Sequence, residues 1–328
     1  MTTIIQIVGI IIGFVLLIKG ADVFVEASVS IAKGLRIPSI VVGLTIVAIG
    51  TSLPELVVSV SAALGGSSDM AVANVVGSNI FNILFILGAC ALIKPINVLI
   101  KEIWRDFFVA LVAAVALFAA SLAFRIPNDM NILAFRGIIP RSISLAFLAA
   151  FILYMAVLVK SALKNRTPSP DEEADTPKKP LPISILFAVL GAGVIVLGGQ
   201  ITVSSAMDFA LNIGISERVA GLTILAVGTS LPELVTSLVA CKKGENGIAI
   251  GNVLGSNIFN ILAVLGITGI ISPLFIDLNM MFDLAFLALG SLVFFAFAAT
   301  GKGLSRLEGG VMILFYSAYI VPFALLGS

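Results

Sequence analysis

The fold of this chain is decided by the stretch Gly43-Leu-Thr-Ile-Val-Ala-Ile-Gly-Thr-Ser-Leu-Pro-Glu55, which runs on to Gly77-Ser-Asn-Ile-Phe-Asn-Ile-Leu84. Residues 43–88 return at 221–266, an offset of 178 positions without a gap, and 29 of the 46 aligned residues are identical. Each copy places one glutamate, Glu55 or Glu233, directly after a proline in an apolar segment. Because a carboxylate at membrane depth is costly, we interpret both glutamates as functional candidates.

The composition predicts a membrane protein. Of the 328 residues, 59% are hydrophobic and 11% are charged, and the mean hydropathy is +1.18. A soluble domain needs far more polar surface than this. The apolar runs are long, which favours helices over the short alternating strands of a barrel. A net charge of +1 argues against a nucleic-acid partner, and the lack of histidine excludes imidazole metal sites.

About ten apolar segments fit transmembrane helices, so we predict an all-α integral membrane protein. The segments are 4–32, 38–64, 70–92, 105–124, 141–163, 182–211, 217–241, 247–271, 282–300 and 307–327. Residues 164–182 are rich in proline and charge and cannot bury a core, which indicates a solvated linker. The linker separates a first five-helix repeat, 1–163, from a second, 183–328.

The positions of Lys and Arg predict the orientation. The loops after the odd-numbered spans hold fourteen of these residues, and the loops on the other side hold four. The positive-inside rule therefore places the linker in the cytoplasm and both termini outside a cell membrane. With five spans per half, the second copy enters the membrane from the opposite side, as in the inverted repeats of secondary transporters. Their substrate sites lie near the midplane, where interrupted helices of the two halves meet.

The first copy predicts such an interruption. Pro54 has no N–H to bond the carbonyl four residues earlier, and Gly50 weakens the helix further. The carbonyls around Ala48, Gly50 and Thr51 are therefore expected to lack intrahelical partners. The side-chain oxygens near the break gather on one side, from Thr51, Ser52 and Glu55. The second copy provides the equivalent set of Ala226, Gly228, Thr229, Ser230 and Glu233.

The helix after each break adds a polar stripe at a spacing of four residues. In the first copy the stripe is Asn74, Ser78 and Asn82, and in the second it is Asn252, Ser256 and Asn260. Together with the two carboxylates, these hydroxyls, amides and carbonyls form an all-oxygen set suited to a hard cation.

Each of these features also has a purely structural interpretation. A proline can simply kink a membrane helix, and Ser and Asn can hold helices together. Two matching copies in opposed orientation favour an ion site. Lys19, Asp22 and Glu26 in the first span leave two alternatives open: intrahelical ion pairs or the lining of an access path.

The paired Gly-Thr-Ser-Leu-Pro-Glu and Gly-Ser-Asn-Ile motifs resemble those of the calcium/cation antiporter superfamily, in particular the prokaryotic sodium/calcium exchangers. The resemblance covers both halves. It implies that calcium binds Glu55, Glu233 and the carbonyls of Thr51 and Thr229, and that the first and sixth spans slide to alternate access. It also implies that sodium uses the glutamates together with Ala48, Ser52, Ser78, Ala226, Ser230 and Ser256. Many such exchangers carry Asp where this chain has Asn260, whereas a bacterial and archaeal subgroup has Asn in both repeats, as here with Asn82 and Asn260.

We therefore expect an antiporter that exchanges Ca²⁺ for Na⁺ across the bilayer, without a cofactor. A Ca²⁺/H⁺ antiporter is the close alternative, because both glutamates can carry protons. A calcium-permeable channel is a third reading, which the paired broken helices disfavour. An enzyme is the least expected class, since the sequence shows no cofactor motif or nucleophile–base pair. The sequence does not predict an oligomeric state.

Overall fold

The computed structural model describes residues 2–97, 100–125, 136–164, 179–214, 226–300 and 303–326. Most of the predicted linker, 164–182, and the start of the predicted seventh span, 217–241, lie outside these ranges.

The described helices match the predicted spans closely, apart from the breaks. In the first half they are α1 (Thr2–Leu35), α2 (Ser39–Thr51), α3 (Leu53–Leu64), α4 (Ser68–Ile93), α5 (Ile100–Ala123) and α6 (Arg141–Lys164). In the second half they are α7 (Leu181–Asn212), α8 (Ala226–Gly228), α9 (Leu231–Lys243), α10 (Asn246–Ile271), α11 (Leu278–Thr300) and α12 (Arg306–Leu326). Single π-helical segments lie within α2 at Gly43–Val47, within α4 at Phe81–Ile86 and within α10 at Phe259–Val264.

Seven described helices are long and apolar enough to cross a membrane, and α2 with α3 counts as an eighth if this pair forms one span. The pair is bent by 46° at its break. These observations confirm the predicted all-α membrane fold and the interruption within span 38–64. The count of ten spans stays a prediction.

The contact between α1 and α7 shows that the two repeats are inverted. A Cβ added at Gly13 would lie 2.8 Å from the carbonyl of Gly198, and one added at Gly20 would lie 3.1 Å from the carbonyl of Gly191. Residue numbers rise along α1 while they fall along α7, so these equivalent helices run antiparallel. The absence of side chains at the glycines lets the two backbones approach closely, as is common between membrane helices.

The helices that carry the polar stripes form the centre of the molecule. In their most apolar windows α4 and α10 are 72% and 83% buried, compared with 22% for α1 and 28% for α7. Backbone packing at the centre is tight, since a Cβ at Gly255 of α10 would lie 2.7 Å from the Leu44 carbonyl of α2. The polar stripes that the two copies share therefore lie on the most buried helices, and α1 and α7 lie at the edge of the molecule.

Two short antiparallel ribbons join the repeats outside the helices. Strand β1 (Ile96–Asn97) pairs with β4 (Gly303–Leu304), and β2 (Arg136–Ile139) pairs with β3 (Leu274–Asp277). Each ribbon takes one strand from each repeat. The sequence analysis did not predict them, because segments of two to four residues are too short to show a strand period.

Candidate ion-binding site

Glu55 lies in the first turn of α3, directly after the break at Ser52. Ser52 leaves helical geometry with φ −87° and ψ 10°, and Pro54 falls in the first turn of the new helix, where its missing N–H removes no hydrogen bond within α3. Glu55 is buried, and the positive end of the helix dipole favours an anion there. The break therefore directs a carboxylate into the protein interior.

One detail of the predicted break is wrong. The carbonyl of Ala48 accepts a hydrogen bond from the Ser52 N–H at 3.0 Å, so it does not lack an intrahelical partner. The reason is that Pro54 removes only the bond to Gly50, four residues earlier, whereas Ser52 precedes the proline and keeps its N–H.

The second copy repeats this geometry. Ser230 has φ −89° and ψ 4°, close to the values at Ser52, and Glu233 lies buried in the first turn of α9. The Ser230 N–H bonds the Val227 carbonyl at 3.2 Å. The side chain of Ala226 is outside the described residues, so its expected role stays a prediction.

The two breaks exchange hydrogen bonds across the repeats. The Ser52 hydroxyl donates to Glu233 Oε1 at 2.6 Å, and the Ser230 hydroxyl donates to Glu55 Oε1 at 3.2 Å. All four side chains are buried. Each glutamate is thus held by the serine of the other repeat.

The threonines of the breaks meet the polar stripe of the opposite repeat. Thr51 Oγ1 lies 3.0 Å from Asn252 Oδ1, and Thr229 Oγ1 lies 3.4 Å from Asn74 Oδ1. The Ser256 hydroxyl lies 3.5 Å from the Ala48 carbonyl. All six of these predicted residues, three from each half, therefore make contacts between the repeats.

Two further pairs in this network are missing from the predicted set. Asn74 Nδ2 donates to the Ser59 hydroxyl at 3.2 Å, and Asn252 Nδ2 donates to the Ser237 hydroxyl at 2.9 Å. Ser59 and Ser237 are identical in both copies of the motif, and this was the signal available in the sequence.

Asn79 and Asn257 are the second pair that the sequence analysis missed. Asn79 Nδ2 donates to the Asn257 carbonyl at 3.1 Å, and Asn257 Nδ2 donates to the Asn79 carbonyl at the same distance. Asn82 Nδ2 donates to Asn257 Oδ1 at 3.1 Å, and Asn260 Nδ2 donates to Asn79 Oδ1 at 3.0 Å. Every bond is repeated by the offset of 178, so a pseudo-two-fold axis passes between Asn79 and Asn257.

Several buried oxygens at the predicted site have no hydrogen-bond partner within the described structure. They are Glu55 Oε2, Glu233 Oε2, Ser78 Oγ, Asn82 Oδ1 and Asn260 Oδ1. An unpaired buried polar atom costs about 1–3 kcal/mol, so a cluster of them is expected only where something else satisfies them. Carboxylate, hydroxyl and amide oxygens are ligands that a hard cation accepts.

Neither carboxylate of the site has a basic partner among the described residues. Lys243 instead reaches Asp22 at 3.0 Å and Glu26 at 2.8 Å, which joins α9 to α1. These two acidic residues are thus bridged to the second repeat rather than paired with Lys19 of their own helix. The described residues also hold no cluster of three or more His, Cys, Asp or Glu side chains.

Inverted membrane repeats whose broken helices place two carboxylates together at the centre define a secondary cation transporter. Comparison with known proteins agrees with this class. The model of the sodium/calcium exchanger protein family matches residues 5–160 and 183–325, and the chain belongs to that family. It is therefore a membrane-bound cation antiporter and not an enzyme.

The relatives extend over nearly the whole chain. The sodium/calcium exchanger MaX1 of Methanosarcina acetivorans is 35% identical and covers 95% of this chain and 96% of its own length. The inner membrane protein YrbG of Escherichia coli is 36% identical over 82% of this chain and 80% of its own length. A solved structure of the sodium-calcium exchanger NCX_Mj, soaked with Na⁺ and Ca²⁺, has a TM-score of 0.81 at 30% identity and covers 97% of this chain and 98% of its own.

Proposed function

We propose that this protein exchanges Ca²⁺ for Na⁺ at a single central site built from both repeats. Glu55 and Glu233 supply the charge. Neutral oxygens complete the site, from Ala48, Thr51, Ser52, Ser78, Asn82, Ala226, Thr229, Ser230, Ser256 and Asn260. Relatives that are named sodium/calcium exchangers support the choice of ions.

The observation that carries the proposal is the cluster of unpaired buried oxygens around the two glutamates. Ca²⁺ takes about six to eight oxygen ligands, and two carboxylates neutralise it. Two Na⁺ ions balance the same charge, so either load leaves the site neutral. The absence of a basic partner in the described residues fits this role, because a lysine or arginine would compete with the cation.

Proton coupling is the second candidate driver. Glu55 and Glu233 accept hydrogen bonds only from neutral hydroxyls in the described contacts, so each is able to carry a proton when no cation is bound. In that case Ca²⁺ movement follows the pH gradient and continues without Na⁺.

The deciding experiment is ⁴⁵Ca²⁺ uptake into proteoliposomes under an imposed Na⁺, K⁺ or H⁺ gradient. We expect uptake that depends on an opposed Na⁺ gradient. Uptake that needs only a pH gradient would favour the proton-coupled alternative. Uptake that needs no counter-ion at all would indicate a channel and overturn the proposal.

We further propose that the linker 164–182 faces the cytoplasm and that both termini lie outside. The support is the distribution of Lys and Arg between alternate loops. A cysteine introduced at 168–176 is then labelled by an impermeant reagent only from the cytoplasmic side, and one added after Ser328 only from outside. The native Cys90 and Cys241 are buried and give a low background. Reversed labelling would invert the proposed orientation.

A further inference from the structure

Asn79 and Asn257 differ from the other polar side chains at the centre because both ends of each amide have a partner. Asn79 donates through Nδ2 to the Asn257 carbonyl and accepts at Oδ1 from Asn260. Asn257 donates to the Asn79 carbonyl and accepts from Asn82. Both side chains are fully buried. Because Oδ1 of each amide already accepts a hydrogen bond, we do not count Asn79 and Asn257 among the cation ligands.

Asn82 and Asn260 show the opposite pattern. Each has its NH₂ group bonded across the repeats, and each has a buried Oδ1 without a partner in the described structure. An asparagine amide can turn by 180° and exchange its oxygen and nitrogen, with almost no change in shape. The bond to the opposite repeat removes this freedom, because turning would set the carbonyl oxygen of Asn260 against Oδ1 of Asn79.

The π-helical segments give a reason why Asn82 and Asn260 need a hydrogen bond from the opposite repeat. They begin at Phe81 and Phe259, one residue before Asn82 and Asn260. A π turn interrupts the regular spacing of side chains and is frequent at functional sites. The local helix geometry therefore does not by itself fix the orientation of the Asn82 and Asn260 amides. A hydrogen bond from the opposite repeat fixes it.

We infer that Asn79 and Asn257 are positioning residues, which lock Asn260 and Asn82 with their oxygens directed at the transported cation. The inference rests on the proposed function. It also accounts for asparagine at both positions 82 and 260, since an ionised aspartate there has no hydrogen to donate to Asn257 or Asn79.

The test is a double-mutant cycle on reconstituted protein, with the KM for Ca²⁺ and the maximal rate measured separately. Asn79→Leu keeps the branching and the number of heavy atoms of the side chain, and it removes the acceptor of Asn260. We expect the KM to rise about fivefold, the value of one lost hydrogen bond. In an Asn260→Ser background, where no amide remains to be oriented, Asn79→Leu should change the KM by less than about twofold.

The pseudo-symmetry supplies the matched control. In an Asn82→Ser background, Asn79→Leu should keep its full effect, because Asn82 is held by Asn257 and not by Asn79. A residue that only supports the fold would weaken both backgrounds equally, and equal effects would overturn the inference. Asn79→Ser removes the same contact with a smaller side chain and takes the place of Asn79→Leu if that variant does not fold.

Glu55→Gln separates this inference from the proposed function. If Glu55→Gln abolishes exchange while Asn79→Leu leaves the KM for Ca²⁺ unchanged, the site stands and the positioning role is rejected. If Glu55→Gln leaves exchange intact, the proposed function itself fails.

Discussion

The centre of the molecule and its edge obey different symmetries. At the centre the hydrogen bonds between the repeats that Ser52, Ser230, Asn79 and Asn257 make each have a counterpart at the offset of 178 positions. At the edge the equivalent helices α1 and α7 differ. Asp22 and Glu26 of α1 correspond to Gln200 and Ser204 of α7.

This difference in sequence produces a difference in contacts. Lys243 bridges both acidic residues of α1, whereas its equivalent in the first repeat is Gly65, which has no side chain to reach α7. Gln200 and Ser204 line a cavity of about 200 Å³ that extends to Thr229 at the second break. The acidic residues of α1 are thus bridged to α9, whereas their equivalents on α7 line a cavity that also reaches Pro54 of the first break.

We expect the centre and the edge of the molecule to have different roles. Two access states related by the pseudo-two-fold axis would share the symmetric centre and differ at the asymmetric edge. We therefore predict that the charged contacts on α1 change the equilibrium between such states without altering the ligands.

The largest effect is expected at the two carboxylates, which the symmetry makes equivalent. Glu55→Gln and Glu233→Gln should each lower Na⁺-dependent Ca²⁺ exchange about 100-fold or more. The reason is that removing one of the charges that face a buried cation costs about 3–5 kcal/mol. Asp283→Asn is the matched control, because Asp283 is a carboxylate that pairs with Tyr319 in the outer helices. Transport assays on purified protein decide the question. Wild-type activity in either glutamate variant contradicts the site.

A smaller effect is expected where α1 meets α7. Gly198→Ala places a Cβ 2.8 Å from the Gly13 carbonyl and the Leu17 nitrogen, so the helices must separate. Overpacking of this kind costs about 1–3 kcal/mol, and we expect lower thermal stability in detergent together with slower exchange. Gly193→Ala, on the same helix, meets nothing within 4 Å and should behave as wild type. Equal melting temperatures for the two variants would show that close packing of α1 on α7 is not needed.

The smallest effect is expected for the ion bridge at the edge. Lys243→Gln removes both contacts to α1, and because these groups are partly exposed the loss is about 0.2–1 kcal/mol. Exchange rates should change by up to about fivefold, and the difference from wild type should shrink in high concentrations of choline chloride, which screens exposed charges. Lys242→Gln removes a neighbouring charge and should have no such effect. A change that is insensitive to salt would mean that Lys243 acts through packing.

Much of the fold was predictable from residues alone. Hydropathy identifies a helical membrane protein because no soluble core accommodates so many apolar residues. Pro54 and Pro232 mark the broken helices through a local rule, the missing N–H. Glu55 and Glu233 stand out because an isolated carboxylate in an apolar span is costly wherever it lies. These inferences depend only on each residue and its near neighbours in the chain.

The rest depended on contacts between residues far apart in the chain. Nothing within one repeat indicates that the Ser52 hydroxyl donates to Glu233 and not to its neighbour Glu55. Nor does either repeat alone indicate that Lys243 forms ion pairs with Asp22 and Glu26. Asn79 lies in a motif that the sequence displays twice, yet its role became visible only when its partner Asn260 was in place. The sequence determined which chemical groups enter the membrane and where the helices break, because those follow from local chemistry. Which groups pair, which oxygens stay unpaired and which outer helix is bridged by a lysine were decided by tertiary packing, because hydrogen bonds depend on distances that only the folded chain sets.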